Sequence, residues 1–99
     1  MRKRVVAYVP ELIDRSKVAA AAEVTFVSNP AELASVDADL VVVDLSRPGV
    51  VDVLPQIRAR TIGFGRHTQR DILDAARAAG CDEVLVRSDF FPRIRELLS

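Results

Sequence analysis

Five short runs rich in β-branched residues punctuate a chain of 99 residues: Arg4–Val9, Val24–Val27, Leu40–Asp44, Thr61–Phe64 and Glu83–Val86. Within each run the apolar residues are largely consecutive, as in strands covered on both faces, and not strictly alternating. The segments between them carry helical signals. A chain that alternates strand and helix in this way has few architectures open to it. The strands align in parallel, the crossovers are right-handed, and helices cover both faces of the sheet. The length suits one domain, residues 1–99, with no linker, repeat or low-complexity segment within it.

Helix boundaries follow from capping chemistry. Pro10 suits a first turn, where no intrahelical N–H is needed, and Glu11 and Asp14 then lie near the positive end of the helix dipole. This first helix runs through Lys17 into Ala19–Ala22, while Asp14-Arg15-Ser16 reads as an exposed charged turn. A short second helix has Asn29 as cap, Pro30 in first position and Glu32 closing a capping box. Asp52 is the expected cap of the third helix, which places Pro55 in the first turn, where it is tolerated. The fourth runs from a Thr68 cap to Gly80, with Ile72, Leu73, Ala75, Ala76 and Ala79 on its apolar face. Asp89 is the expected cap of the fifth, with Phe91, Ile94, Leu97 and Leu98 facing inward.

Composition narrows the partners. Lys+Arg and Asp+Glu are both 14, so no large one-sided field draws in nucleic acid or an anionic membrane. The basic run Arg2-Lys3-Arg4 reads as a solvated leader to the first strand. Pro10, Glu11 and Asp14 interrupt the apolar segment behind it too early for a signal peptide, and no run approaches a membrane span. The single cysteine, Cys81, reads as a small semi-buried filler and fits a reducing compartment, so a cytoplasmic location is expected. One Cys and one His fall short of a tetrahedral metal set; neither metal nor cofactor is expected. No glycine-rich turn follows the first strand, which argues against nucleotide fingerprints of the dinucleotide, phosphate-loop or flavin kind.

In open parallel sheets, ligands bind beyond the carboxyl ends of the strands. Those ends read Pro10-Glu11, Ser28-Asn29, Asp44-Leu45-Ser46, Gly65-Arg66-His67 and Arg87-Ser88-Asp89. The third of them belongs to Val41-Val42-Val43-Asp44-Leu45-Ser46-Arg47-Pro48-Gly49. That stretch resembles the phospho-acceptor context of response-regulator receiver domains, with Asp44 at the acceptor position. Ala75-Ala76-Arg77-Ala78-Ala79-Gly80-Cys81-Asp82-Glu83-Val84-Leu85-Val86-Arg87-Ser88-Asp89-Phe90 is similar to the receivers' Ala-Gly-Ala-x-x-Tyr/Phe-Leu-x-Lys-Pro-Phe stretch. With the strand–helix rhythm, the resemblance covers nearly the whole chain. It implies a three-layer (βα)5, flavodoxin-like fold: a central parallel sheet of order 2-1-3-4-5 with helices on both faces. It also implies a bacterial signal-transduction context.

The departures from the receiver pattern bear on function. Receivers hold Mg²⁺ with paired acids at the end of strand one, where this chain has Tyr8-Val9-Pro10, with Glu11 the nearest acid. They place a Ser or Thr at the end of strand four, where Gly63-Phe64-Gly65 stands here. Their strand-five Lys is replaced by Arg87, which is not its equivalent in geometry. The expectation is a degenerate, pseudo-receiver-like module: not an enzyme, without catalytic residues or Mg-dependent phosphotransfer, acting by protein–protein contact. Its contact face is expected on helix four, strand five and helix five, marked by Arg70, Asp74, Arg77, Arg93 and Arg95, toward another protein or a second copy. The chain stops one residue after Leu98, so action through another molecule is expected.

Two alternatives stay open. One is a small-ligand or anion-binding module using Glu11, Ser46, Gly65, Arg66, His67, Arg87 and Ser88 around the strand tips. The other is a degenerate phospho-acceptor at Asp44 in a phosphorelay. Each candidate also has a plain structural reading. Asp44 can bond Ser46 or a loop amide or pair with Arg87; His67 can serve a turn; Arg87-Ser88-Asp89 can cap a helix. Gly63 and Gly65 clear side chains from the strand-four tip, leaving room for a ligand or for another backbone.

Overall fold

A computed structural model describes residues 3–99, and Arg2 of the basic run lies outside that range. Five strands form one parallel sheet: β1 (Val5–Tyr8), β2 (Val24–Phe26), β3 (Leu40–Asp44), β4 (Arg60–Gly65) and β5 (Glu83–Val86). Their order is β2-β1-β3-β4-β5, all parallel, as the resemblance implied. β3 and β5 coincide with the sequence runs. β1 and β2 end earlier than expected, and β4 gains Arg60 and Gly65. The β3–β4 register pairs Asp44 with Phe64, so the acidic tip of one strand lies beside the glycine-flanked aromatic of the next.

Two apolar layers flank the sheet. One packs Val18 of α1 (Leu12–Ala21) and Phe90, Ile94 and Leu98 near the C-terminus against Val5, Ala7, Val42, Ile62 and Phe64. The other packs Leu33, Val50, Val53, Leu54, Leu73 and Ala76 against Val6, Val41, Val43 and Leu45. Residues 41–43 are wholly buried, which accounts for their unbroken run of valines.

Helix starts depart from the sequence expectations for local reasons. Pro10 stays outside α1; Glu11 is its N-cap, and its side chain accepts from the Asp14 amide. The second segment, Pro30–Ser35, is a 3₁₀ helix, with the Glu32 carboxylate accepting from the Ser28 and Asn29 amides. The third begins at α2 (Val50–Val53), ahead of the expected Asp52 cap, because Gly49 at φ 86° turns the chain sharply. Pro55 then falls in a 3₁₀ turn, Leu54–Gln56, that continues α2, so the missing N–H tightens the helix where an α ladder would break. α3 (Arg70–Ala78) is capped at Gln69, one residue after the expected Thr68, and ends before Gly80 at φ 98°. Leu73 and Ala76 are its buried residues, whereas Ala75 is exposed.

The junction after β5 bears most directly on the site. No loop separates β5 from the final helical segment: α4 (Arg87–Phe90) starts directly after Val86, and Asp89 lies inside it and does not cap it. A 3₁₀ turn over Phe91–Arg93 absorbs Pro92 before α5 (Ile94–Leu98). Arg87 is therefore the first residue of a helix, held at the sheet's carboxyl edge by strand and helix together. At the opposite edge, Lys3 Nζ donates to the Ser99 carbonyl at 2.8 Å and Arg4 meets Asp37 at 3.0 Å, so the described part of the basic leader is paired. No helix of the described residues is long and apolar enough to cross a membrane.

Candidate functional site

The carboxyl ends of the strands open onto a cleft of about 600 Å³, lined by charged residues from several tips. Glu11, Asp44, Ser46, Arg66 and Arg87, all named from the sequence, line it. Gly65, His67 and Ser88, named with them, do not. His67 and Ser88 are exposed beyond its walls. A Cβ on Gly65 would meet Leu73 Cδ2 at 2.9 Å, and one on Gly63 would meet Leu45 Cδ2 at 2.6 Å. The space these glycines clear is filled by two leucines of the core, not by a ligand.

Asp14 is buried at 3% exposure, against its expected place in an exposed turn. Its two carboxylate oxygens accept from both terminal nitrogens of Arg87, at 2.6 and 2.8 Å, a bidentate pair that ties α1 to α4. The sequence signal was the spacing: Asp14 lies four residues before the fully buried Val18, on the inward stripe of α1. A carboxylate there requires a partner. The Arg87 guanidinium also stands over the rings of Phe91, at 5.1 Å, and Phe64, at 5.5 Å. The Asp14 hydrogen bonds hold Arg87 above the ordinary guanidinium range against the opposing effect of burial, and the charges of Asp14, Asp44 and Glu11 add to this.

Asp44 is engaged locally. Its Oδ1 accepts from the Ser46 hydroxyl at 2.6 Å and from the Ser46 amide at 3.0 Å, the side-chain turn available to an aspartate at a strand end. Its Oδ2 faces Arg47 Nε at 3.6 Å. Of the partners open to Asp44 from the sequence, Ser46 is the one realised by hydrogen bonds, while Arg87 acts on it through space.

Sequence reasoning did not place Ile13, Asp14, Lys17, Arg47, Pro48 and Gln69 in this cleft. Lys17 follows Ile13 by one helical turn and stands over the Phe91 ring at 5.1 Å. Gln69 has a buried side-chain Oε1 without a hydrogen-bond partner among the described residues. Among the described residues, no three His, Cys, Asp or Glu side chains gather into a group that would hold a metal ion.

No family model and no curated protein matches the chain. Solved structures do. The phosphorylated cyanobacterial phytochrome response regulator RcpA superposes with a TM-score of 0.82 at 15% identity, over 98% of this chain and 91% of that one. The chain has the response-regulator receiver fold. A response regulator from Hahella chejuensis gives the same TM-score at 19% identity, over 98% of this chain and 92% of its own. At such identities the likeness is one of fold. Within the receiver fold Asp44 ends β3, Arg87 follows β5, and the cleft between them lies where the sheet's topology puts a site.

Proposed function

We propose that this chain is a receiver-like signalling or scaffold module that works by protein–protein contact, without Mg²⁺-dependent phosphotransfer and without catalysis of its own. The observation that carries this reading is the bidentate Arg87–Asp14 pair. A receiver needs a hard cation among carboxylates to neutralise phosphoryl oxygens. Here the cation among Asp14, Asp44 and Glu11 is the guanidinium of Arg87. The oxygens that would ligate a metal accept instead from Arg87, from Ser46 and from the Asp14 amide. This donor set does not suit a divalent ion, since binding one would break a bidentate ion pair whose carboxylate is buried.

The contact surface in this proposal is the face of α3, β5 and the C-terminal helical segment. β5 is an edge strand hydrogen-bonded only to β4, and its residues are half-buried. Around it Asp74 pairs with Arg77 at 3.1 Å and Arg93 with Glu96 at 3.6 Å, both across one helical turn. Arg70 and Arg95 are exposed beside them. A second copy or another protein meeting this face would find mixed charge able to set register. A cytoplasmic location fits the single cysteine, held as a free thiol.

Amide NMR in beryllofluoride and Mg²⁺ tests the missing chemistry. The signals of residues 44–47 and 87 are expected to stay in place. Specific shifts there that vanish in Asp44→Asn would overturn the proposal. Light scattering across concentration, repeated with Arg70→Glu and Arg95→Glu, tests self-association through the proposed face. A concentration-dependent rise in mass that both variants leave untouched excludes it.

A further inference from the structure

We infer that the strand-tip cleft is a metal-free binding site for a phosphate monoester of nucleoside monophosphate size. The inference goes beyond the contact function and does not depend on it.

Its first support is the orientation of charge. Four cationic side chains, Lys17, Arg47, Arg66 and Arg87, line the cleft beside three carboxylates, Glu11, Asp14 and Asp44. Two of the carboxylates are withdrawn from solvent: Asp14 and Asp44 are each 3% exposed, and both accept internal hydrogen bonds. The third, Glu11, caps α1. The cations other than Arg87 are more open to solvent than Asp14 and Asp44. Lys17 and Arg66 are exposed, and neither forms an ion pair among the described residues. Arg47 reaches Asp44 at only 3.6 Å and remains 39% exposed. A ligand entering the cleft meets positive charge first, and its phosphate can be bonded by these three side chains while the Arg87–Asp14 pair stays closed.

Its second support is Gln69, a half-buried residue of the cleft lining whose buried Oε1 has no hydrogen-bond partner among the described residues. A buried amide oxygen left unpaired is costly, and an N–H or O–H on a ligand would satisfy it. The third is apolar: Ile13, 65% exposed, lines the same cleft with Pro48. A dianion, a hydrogen-bond donor and a flat apolar ring in one small molecule describe a nucleoside monophosphate, and the cleft volume lies in the range of small-ligand sites.

The test is an amide NMR titration in EDTA with three probes: AMP, inorganic phosphate and adenosine. AMP is expected to give saturable shifts at residues 44–48 and 66–69, phosphate a weaker response at the same amides, and adenosine none. Arg66→Ala and Lys17→Ala, both at exposed positions, are each expected to weaken AMP binding by about tenfold, and Gln69→Leu to weaken AMP without changing phosphate. Arg58→Ala, at an exposed position ahead of β4 and at the opposite edge of the sheet, is the control and is expected to bind AMP as the parent does. No saturation by AMP up to about 10 mM overturns the inference. So does adenosine binding as tightly as AMP, or AMP binding that Arg66→Ala and Lys17→Ala leave unchanged.

Discussion

Arg87 and Asp14 are 73 residues apart in sequence and joined by two hydrogen bonds of 2.6 and 2.8 Å. The pair links the first turn of α1 to the first residue of α4 across the carboxyl edge of the sheet. It lies above Phe64 and Phe91, which shield the guanidinium from one side. The same contact holds two elements of one packing layer together and places a positive charge in the strand-tip cleft.

Breaking that pair leaves a buried carboxylate uncompensated. Arg87→Gln is expected to cost about 2 kcal/mol in urea unfolding, short of the fully buried range because the Arg87 side chain is 36% exposed. Asp14→Asn should cost a similar amount, and the double variant distinctly less than the sum of the two. Arg87→Lys should recover only part of the loss, since an ammonium cannot make the parallel two-bond contact. Additive losses in the double-mutant cycle would show that the two residues act independently.

The glycines of β4 give a second prediction, one that separates packing from ligand access. Gly63→Ala would push a methyl group into Leu45, whose Cγ and both Cδ atoms lie within 2.9 Å of the added Cβ. A loss of about 2 kcal/mol is expected, and the same substitution should cost less when made in a Leu45→Ala background, where the clash is absent. Gly65→Ala meets one end of the Leu73 side chain, which can move, and should cost less. Equal melting temperatures for Gly63→Ala and the parent would mean that β4 and Leu45 separate without strain.

The fold was legible because its signal is redundant. The valines at 41–43 are all buried, and no helix with a wet face would carry three such residues in a row. Gly80 read as a helix stop and adopts positive φ. The site was legible only in part. Asp44 and Arg87 were found at strand tips, but their partners depend on angles that periodicity does not fix. Asp14 looked like surface because its neighbours Arg15 and Ser16 are surface; the inward stripe it shares with Val18 carries the contrary signal. The direct β5–α4 junction was missed because Ser88-Asp89 resembles a cap in composition, whereas Arg87 already satisfies the helical geometry without one. Gly63 and Gly65 were ambiguous in sequence since a missing Cβ does not reveal which neighbour fills the space.

Phe64 and Phe91 support Arg87, and Phe90 packs against both rings. Phe64 stacks on Phe90 with centroids 4.7 Å apart, and Phe91 meets both edge-on at 5.1 and 4.9 Å. Phe90 is wholly buried, so Phe90→Ala is expected to cost about 4 kcal/mol, and Phe90→Leu about 1.5 kcal/mol. Phe91 is partly exposed, and Phe91→Leu should lose less stability while moving the Lys17 and Arg87 side-chain resonances. Unshifted resonances in that variant would remove the cation–aromatic contacts from the account of how Arg87 is held.

Cys81 gives a pH-dependent prediction. Its thiol lies in the layer with Leu73 and Ala76 and donates to the Glu83 carbonyl at 3.2 Å. Burial pushes its pKa up from 9.0 to about 11. The folded state therefore favours the neutral thiol, and the unfolded chain ionises first as the solution becomes alkaline. The stabilisation is complete below pH 9.0 and is lost as the pH rises through about 11. Stability measured relative to Cys81→Ala should thus be constant through neutrality and fall over that alkaline window. Iodoacetamide should label the native chain far more slowly than the unfolded chain at pH near 8, because native thiolate is scarce. Rapid native labelling, or a difference from Cys81→Ala that stays flat through the alkaline window, would place the thiol nearer solvent than its 8% exposure indicates.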